Sequence, residues 1–306
     1  MKTIAIVAGG DSSEYEISVK SANEVSKALS SKYIAYIIVI RGNNWNWEDP
    51  IGRFYNIDKN SFTLKIDDNY IRFEAVFVAM HGSPGENGLL QGYFDMLKIP
   101  YTSCSTFCSS LTFNKQACKL FLKEYKIKMA DAVLLRKGEN IDYEKLIDRI
   151  GLPCFVKPND SGSSFGVSKV KTKKDFLHAF EAAFKESDDV LVEAFMKGRE
   201  VACGVVKTKT KTIVLPVTEI ISKNEFFDYE AKYTPGKSEE VTPAEMPEKI
   251  TDKIQQLASD IYDLLGCKGI VRVDFIVVDE VPYFLEVNTV PGMTEESLVP
   301  KQAKAA

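Results

Sequence analysis

The first third of the chain predicts an α/β fold, a parallel sheet covered by helices. Two observations carry this: short apolar strands alternate with helical stretches, and glycine-rich turns follow two of the strands. Strands are expected at Thr3–Ala8, Tyr33–Ile40 and Ala75–Ala79, with helices at about Ile17–Leu29 and Leu89–Leu97. The turns are Gly9-Gly-Asp-Ser-Ser-Glu14 and His81-Gly-Ser-Pro-Gly-Glu-Asn-Gly88. Carboxyl ends of strands form the ligand crevice in open α/β sheets, so both turns should face a site. Neither matches GxGxxG, and no dinucleotide is inferred. Trp45 and Trp47 read as surface-packing residues of a polar, insertion-like loop.

A second unit begins after Tyr101-Thr-Ser. Asn114–Tyr125 reads as a helix with Lys115 near its start. Leu152–Pro158 is strand-like, carries Lys157, and leads into Asn159-Asp-Ser-Gly-Ser-Ser-Phe-Gly166 before another strand, Val167–Val170. A P-loop would need Gly-Lys-Ser/Thr opening a helix, which is absent. The N–H and hydroxyl groups of Gly162, Ser163 and Ser164 could still cradle phosphate oxygens. An ordinary hairpin loop fits these residues equally well. Val190–Met196 is an apolar strand running into Lys-Gly-Arg-Glu200, and its glutamates Glu193 and Glu200 suit a purine and ribose edge, a weak signal alone.

Asp175–Glu186 and Glu248–Leu265 are amphipathic helices, the second closed by Gly266. Between them Ser222–Glu240 is polar and turn-rich, as active-site lids often are. Lys232 is its phosphate or carboxylate contact, although a solvated lysine is the commoner fate.

Gly269–Thr294 places chemistry on one sheet face. Ile270–Val278 points Arg272 and Asp274 one way and Val271, Val273 and Phe275 the other. Pro282–Asn288 does the same with Glu286 and Asn288 against Leu285 and Val287. A turn through Asp279, Glu280 and Val281 would set Asp274 opposite Glu286 and Arg272 opposite Asn288. Two carboxylates and an amide oxygen suit Mg²⁺. A salt-bridged, solvated sheet face is the plain alternative. The following Thr289-Val-Pro-Gly-Met-Thr294 disfavours it, because a Pro-Gly turn exposes N–H groups beside the ligands.

Composition narrows the classes. With 306 residues there is room for two or three domains with their own cores. A net charge of -4 gives no reason to expect nucleic acid, so local lysines must carry any phosphate recognition. No apolar run would span a bilayer, and the start, Met1–Ala8, is too short for a signal peptide. The six cysteines form no CxxC pair and several sit in apolar contexts, which suits a reduced, cytoplasmic protein. With only His81 and His178, a histidine-rich metal site is excluded.

Taken in order, the motifs resemble the D-alanine–D-alanine ligase family of the ATP-grasp superfamily. They are Gly9-Gly-Asp-Ser-Ser-Glu-Tyr-Glu-Ile-Ser18, His81-Gly, Val156-Lys-Pro, Gly162-Ser-Ser-Phe-Gly166, Tyr229-Glu-Ala-Lys-Tyr233, Gly266-Cys-Lys-Gly269, Glu286-Val-Asn-Thr-Val-Pro-Gly-Met-Thr294 and Ser297-Leu-Val-Pro300. The resemblance runs from the first strand to Ala306. It implies an N-terminal α/β domain at 1–103, then two α+β ATP-grasp halves at 104–192 and 193–306, with a lid at 222–240. ATP would lie between the antiparallel sheets of the two halves.

The resemblance also implies roles. Lys115, Lys157 and Lys232 would contact the nucleotide, Ser163 and Ser164 would lie in a phosphate flap, the edge from Glu193 to Met196 would hold adenine, and Glu200 would bind ribose. Asp274, Glu286 and Asn288 would hold two Mg²⁺ ions, with Mn²⁺ as an alternative. Glu14 would hold the ammonium of the first D-alanine, and His81 would orient that end. Lys232, Ser297 and the backbone of Leu298 would receive the second carboxylate. Tyr233 and Ser163 would link the lid to Glu14, and Arg272 with the N–H of Gly292 would stabilise an oxyanion.

The implied reaction joins two D-alanines through a D-alanyl phosphate, for peptidoglycan precursor synthesis, in a cytoplasmic homodimer. Ala194 stands where a lysine is often seen and Phe227 where some relatives have tyrosine. The chain ends at Lys301-Gln-Ala-Lys-Ala-Ala306, where relatives usually continue into a closing helix. The competing expectations are a D-alanine–D-lactate ligase, another ATP-grasp carboxylate–amine ligase, and a nucleotide-binding regulator without turnover. The Glu-Ala-Lys-Tyr233 lid disfavours the first.

Overall fold

The structure, a computed structural model, describes residues 1–162, 164–222 and 238–306. The first sheet is built from β1 (Lys2–Gly9), β2 (Tyr33–Arg41), β3 (Asn44–Glu48), β4 (Phe54–Asp58), β5 (Thr63–Ile66), β6 (Asn69–Arg72) and β7 (Ala75–Val78), in the order β6-β5-β4-β3-β2-β1-β7. β1 pairs in parallel with β2 and β7, as the strand–helix alternation predicts. β1 is buried on both faces, the mark of a covered parallel strand. Ala5 and Val7 join one apolar cluster, whereas Ile6 and Ala8 join another with Ala22 and Val25 of α1 (Tyr15–Leu29).

The expected polar loop around Trp45 and Trp47 is a correction. Both lie on β3, which extends the sheet antiparallel to β2, followed by β4 to β6. Trp45 meets Tyr93 edge-on at 5.2 Å between centroids, and Trp47 meets Tyr36 at 5.2 Å. The alternation Trp-Asn-Trp-Glu was the available signal for a strand with one apolar face.

α2 (Leu89–Leu97), α3 (Thr106–Phe113) and α4 (Lys115–Glu124) lead to a second sheet. That sheet contains β8 (Ala132–Arg136), then β9 (Cys154–Pro158) after α5 (Tyr143–Ile150), β10 (Ser168–Val170), and β11 (Asp189–Ala194) after α6 (Phe176–Glu186). The order is β10-β9-β11-β8, all antiparallel. The third sheet carries β12 (Arg199–Lys207), β13 (Thr212–Val214), β14 (Thr218–Ser222), β15 (Ser238–Val241) and, after α7 (Glu248–Leu264), the hairpin β16 (Gly269–Val278) and β17 (Val281–Asn288). The change of sheet lies between Ala194 and Arg199. α7 packs Ile250, Ile254, Ala258 and Ile261 under Val273, Phe275 and Phe284. α8 (Leu298–Ala305) follows the Pro-Gly turn. Among the described residues no helix is long and apolar enough to cross a membrane.

The hairpin pairs Arg272 with Asn288 and Asp274 with Glu286, as expected, but by a different route. The turn is one residue tighter than predicted: Val278 pairs with Val281, and Asp279 and Glu280 take φ of +47° and +61°. A bulge between Asp274 and Phe275 absorbs the difference. Leu285 is the extra residue, and it lines the cleft beside Glu286. Its expected place opposite Glu286 is therefore a correction; Phe284 takes the core position instead.

Gly266 and Gly269 have nearly equal positive φ, +63° and +68°, but different surroundings. A Cβ on Gly266 would meet nothing within 4 Å, whereas one on Gly269 would lie 1.9 Å from the Thr102 carbonyl oxygen. Gly266→Ala should cost about 1–2 kcal/mol, the left-handed penalty alone. Gly269→Ala should cost clearly more, because a backbone atom must move. Unfolding midpoints of the two variants check the ranking, and equal losses would contradict it.

Candidate active site

A cleft of about 400 Å³ opens between the second and third sheets. Lys115, Lys157, Glu193, Met196, Glu200 and Glu286 all line it, as does Ser164. Lys157 reaches it from β9 and Glu193 from β11, one strand across. The apolar walls, Phe155, Ile276 and Leu285, suit a flat ring and were not singled out in the sequence.

At the back of the cleft Glu193 is buried between two ammonium groups. Its Oε2 lies 2.8 Å from Lys119 Nζ and 2.9 Å from Lys157 Nζ. Burial alone would raise its carboxyl pKa; Lys157 and Lys119 more than offset that and hold it below the usual value. Lys119 was missed in the sequence. It lies one helical turn after Lys115 on α4, a spacing that places both on one helix face. The segment after β9 is anchored where Lys115 Nζ donates to the Ser161 carbonyl at 2.5 Å. Buried Asn159 accepts from Gln116 N at 2.9 Å, fixing the start of α4 to the same segment.

On the hairpin face Arg272 grips Asp274 bidentately, Nε to Oδ1 at 2.8 Å and Nη2 to Oδ2 at 2.7 Å. The Asn288 amide also donates to Asp274 Oδ2, at 3.0 Å. Asp274 is thus a buried carboxylate with its charge met. With Glu286 on the neighbouring strand, the donors are all oxygen and lie on one face, which fits a hard divalent cation.

A second cluster forms where the glycine turns of the first sheet meet the segment after β17. The Ser18 hydroxyl joins α1 to both strand ends, accepting from Gly9 N and donating to the Ala79 carbonyl, each at 2.8 Å. His81 is buried, with Nδ1 2.9 Å from the Val290 carbonyl and Nε2 3.4 Å from Ser21 Oγ. Burial lowers its pKa despite the nearby Glu14 carboxylate, so the ring is held neutral. The Met293 N–H donates to Ser21 Oγ at 3.3 Å, bringing Gly292 beside α1. A Cβ on Gly292 would lie 2.7 Å from Ser297 Oγ, so these two expected site residues adjoin. Ser297 precedes Leu298, the first residue of α8.

The clusters meet at Glu14. Its carboxylate is buried, and a Cβ on flap residue Gly162 would lie 2.5 Å from Oε2. The Gly162 segment and the Glu14 carboxylate are therefore in direct apposition. Ser163, Lys232 and Tyr233 lie outside the described residues, as does most of the expected lid. Glu86 was missed, being one polar residue in a glycine turn. It accepts from Gly82 N at 2.7 Å and from Val290 N at 3.3 Å, tying the two loops together.

Comparisons with known proteins agree in family. Residues 3–104 match the family described as D-ala D-ala ligase N-terminus, and residues 121–306 match D-ala D-ala ligase C-terminus. A D-alanine–D-alanine ligase of Phocaeicola vulgatus is 50% identical over 307 residues, spanning 100% of this chain and 94% of the relative. A solved D-alanyl-alanine synthetase A from Vibrio cholerae superposes with a TM-score of 0.88 at 32% identity, covering 99% of this chain and 93% of that one. The VanG D-Ala:D-Ser ligase of Enterococcus faecalis gives 0.87 at 32%, covering 99% and 94%.

Burial, then the Glu14 carboxylate, pushes the Glu86 carboxyl up to about 8. The folded protein then keeps a proton that the unfolded chain releases above its ordinary value. The stability this proton contributes is complete below about pH 4.5 and is lost as the pH rises through about 8. Glu86→Gln should flatten that decline, read as Tm against pH between about 5 and 8. Parallel profiles for variant and wild type would contradict it.

Proposed function

The chain belongs to the D-ala D-ala ligase family, and on that premise we infer that it joins two D-alanines into D-alanyl-D-alanine. ATP is consumed to ADP and phosphate. The apposition of Gly162 and Glu14 supports this most directly, because the reaction needs the segment that would hold phosphate beside the carboxylate that would hold an amino-acid ammonium.

Joining a carboxylate to an amine needs an activated acyl group. A carboxylate oxygen of the first D-alanine attacks the γ-phosphorus, ADP leaves, and D-alanyl phosphate forms. The amine of the second D-alanine attacks the acyl carbon, and phosphate leaves with the mixed-anhydride oxygen. Lys115 and Lys157 steady the phosphates, and the transfer is mostly positioning and electrostatics. Glu193 at the adenine edge and Glu200 at ribose orient the nucleotide, with Phe155 and Leu285 against the ring. Mg²⁺, held by Asp274, Glu286 and Asn288, would offset phosphate charge. Two such ions, with Mn²⁺ as an alternative, and a homodimer belong to the same proposal.

Glu14 would hold the first ammonium group, and His81 would order that end through Val290 and Ser21. Ser297 and the Leu298 backbone would take the second carboxylate. Arg272 and the Gly292 N–H would meet the tetrahedral oxyanion, and the flap would keep water from the acyl phosphate. Ser163, Lys232 and Tyr233 complete the proposal as flap and lid contacts.

ADP release with ATP and Mg²⁺ tests this, comparing D-alanine alone with D-alanine plus D-lactate or D-serine and identifying products by mass. The expected product is D-alanyl-D-alanine. A depsipeptide or D-alanyl-D-serine as the main product would overturn the assignment. Arg272→Ala should lower kcat by about 10²–10³, the usual loss for one oxyanion donor, with ATP affinity little changed. An unchanged kcat would remove Arg272 from that role.

A further inference from the structure

Three cysteines take no part in the proposed reaction yet converge on one point. Cys104 stands just before α3, Cys108 lies in its first turn, and Cys267 lies in the turn from α7 into β16. Their sulfur atoms all lie within 4.8 Å of one another, and Cys108 Sγ is 3.7 Å from Cys267 Sγ. All three are buried, at 0%, 1% and 8% exposure.

Plain packing would account for buried cysteines, which behave as small apolar residues. It does not account for the polar groups aimed at Cys104. The backbone N–H of Lys268 donates to Cys104 Sγ at 3.3 Å. Hydrogen bonds from the Cys108 and Cys267 thiols, acting with that N–H, hold the Cys104 thiol down to about 4, while Cys108 and Cys267 are pushed up.

The Cys108–Cys267 spacing of 3.7 Å is that of a coordination sphere, and Cys104 Sγ lies within 4.8 Å of both. Zinc–sulfur bonds of about 2.3 Å put tetrahedral sulfur ligands about 3.8 Å apart. The Lys268 carbonyl oxygen, 3.5 Å from Cys104 Sγ, is close enough to approach a fourth position. We propose that Cys104, Cys108 and Cys267 form a buried thiolate site for a soft divalent cation of the zinc–cadmium class. Binding displaces the thiol protons and is favoured as the pH rises. The site is distinct from the all-oxygen face at Asp274, because thiolates select soft cations and carboxylates hard ones. It would tie the chain leaving the first sheet to the start of β16, where Gly269 already presses on Thr102.

The test uses the full, reduced chain in excess Mg²⁺, titrated with Cd²⁺ and followed by thiolate-to-metal absorption in the ultraviolet. One equivalent should saturate the signal. Cys108→Ala should abolish it, whereas Cys154→Ala, a buried thiol in another core, should keep it. Zn²⁺ near a hundredfold over its Kd should raise Tm by about 5 °C in wild type and in Cys154→Ala only. X-ray absorption on the wild-type cadmium complex should count three sulfur neighbours, which holds the proposal to account even if Cys108→Ala fails to fold. No absorption, a signal indifferent to Cys108→Ala, or a mass lower by two hydrogens with no cation taken up would each overturn it.

Discussion

Pairing of β16 with β17 decides which side chains reach the cleft, and the rest of the site is arranged around that pairing. A regular strand alternates its faces, so without an irregularity Phe284 and Glu286, two residues apart, would share one face, and either Glu286 would enter the core or Phe284 the cleft. The two-residue turn at Asp279 and Glu280 would impose a slip of one residue. The bulge at Leu285 cancels it and adds an apolar wall to the cleft. Register and pocket shape thus come from one inserted residue.

Around this hairpin the structure satisfies buried charge in groups of three. Glu193 sits between Lys119 and Lys157, and Asp274 takes both Arg272 and Asn288. Isolated, any of these charges would be costly to bury. Shared, they fix the directions of Lys157, which lines the cleft, and of Arg272 on the hairpin face. The loops joining the sheets are held more lightly, by neutral hydrogen bonds through His81, Ser21 and Glu86.

Much of this was legible in the sequence where a period was present. β1, α1 and the faces of β16 follow from alternation and helical spacing, and the Arg272–Asn288 and Asp274–Glu286 pairs follow with them. A bulge breaks the period locally, so Leu285 could not be placed by alternation. β4 to β6 are four or five residues each and polar on one face, too short for the pattern to exceed a loop's, whereas β3 carried its alternation in Trp45 and Trp47. Glu86 and Lys119 carry ordinary composition for a turn and a helix. Only the partners brought from distant segments give them meaning, and those contacts leave no local trace.

The grip of Arg272 on Asp274 bears on how a metal ion would be kept. An ion arriving there does not find a bare carboxylate; it must share one with a guanidinium. Asp274 is already paired with Arg272, so the protein alone would hold Mg²⁺ loosely. Since Mg²⁺ commonly completes its shell with substrate phosphates, the ion would travel with the nucleotide, entering and leaving with it as cargo instead of residing as a fixture.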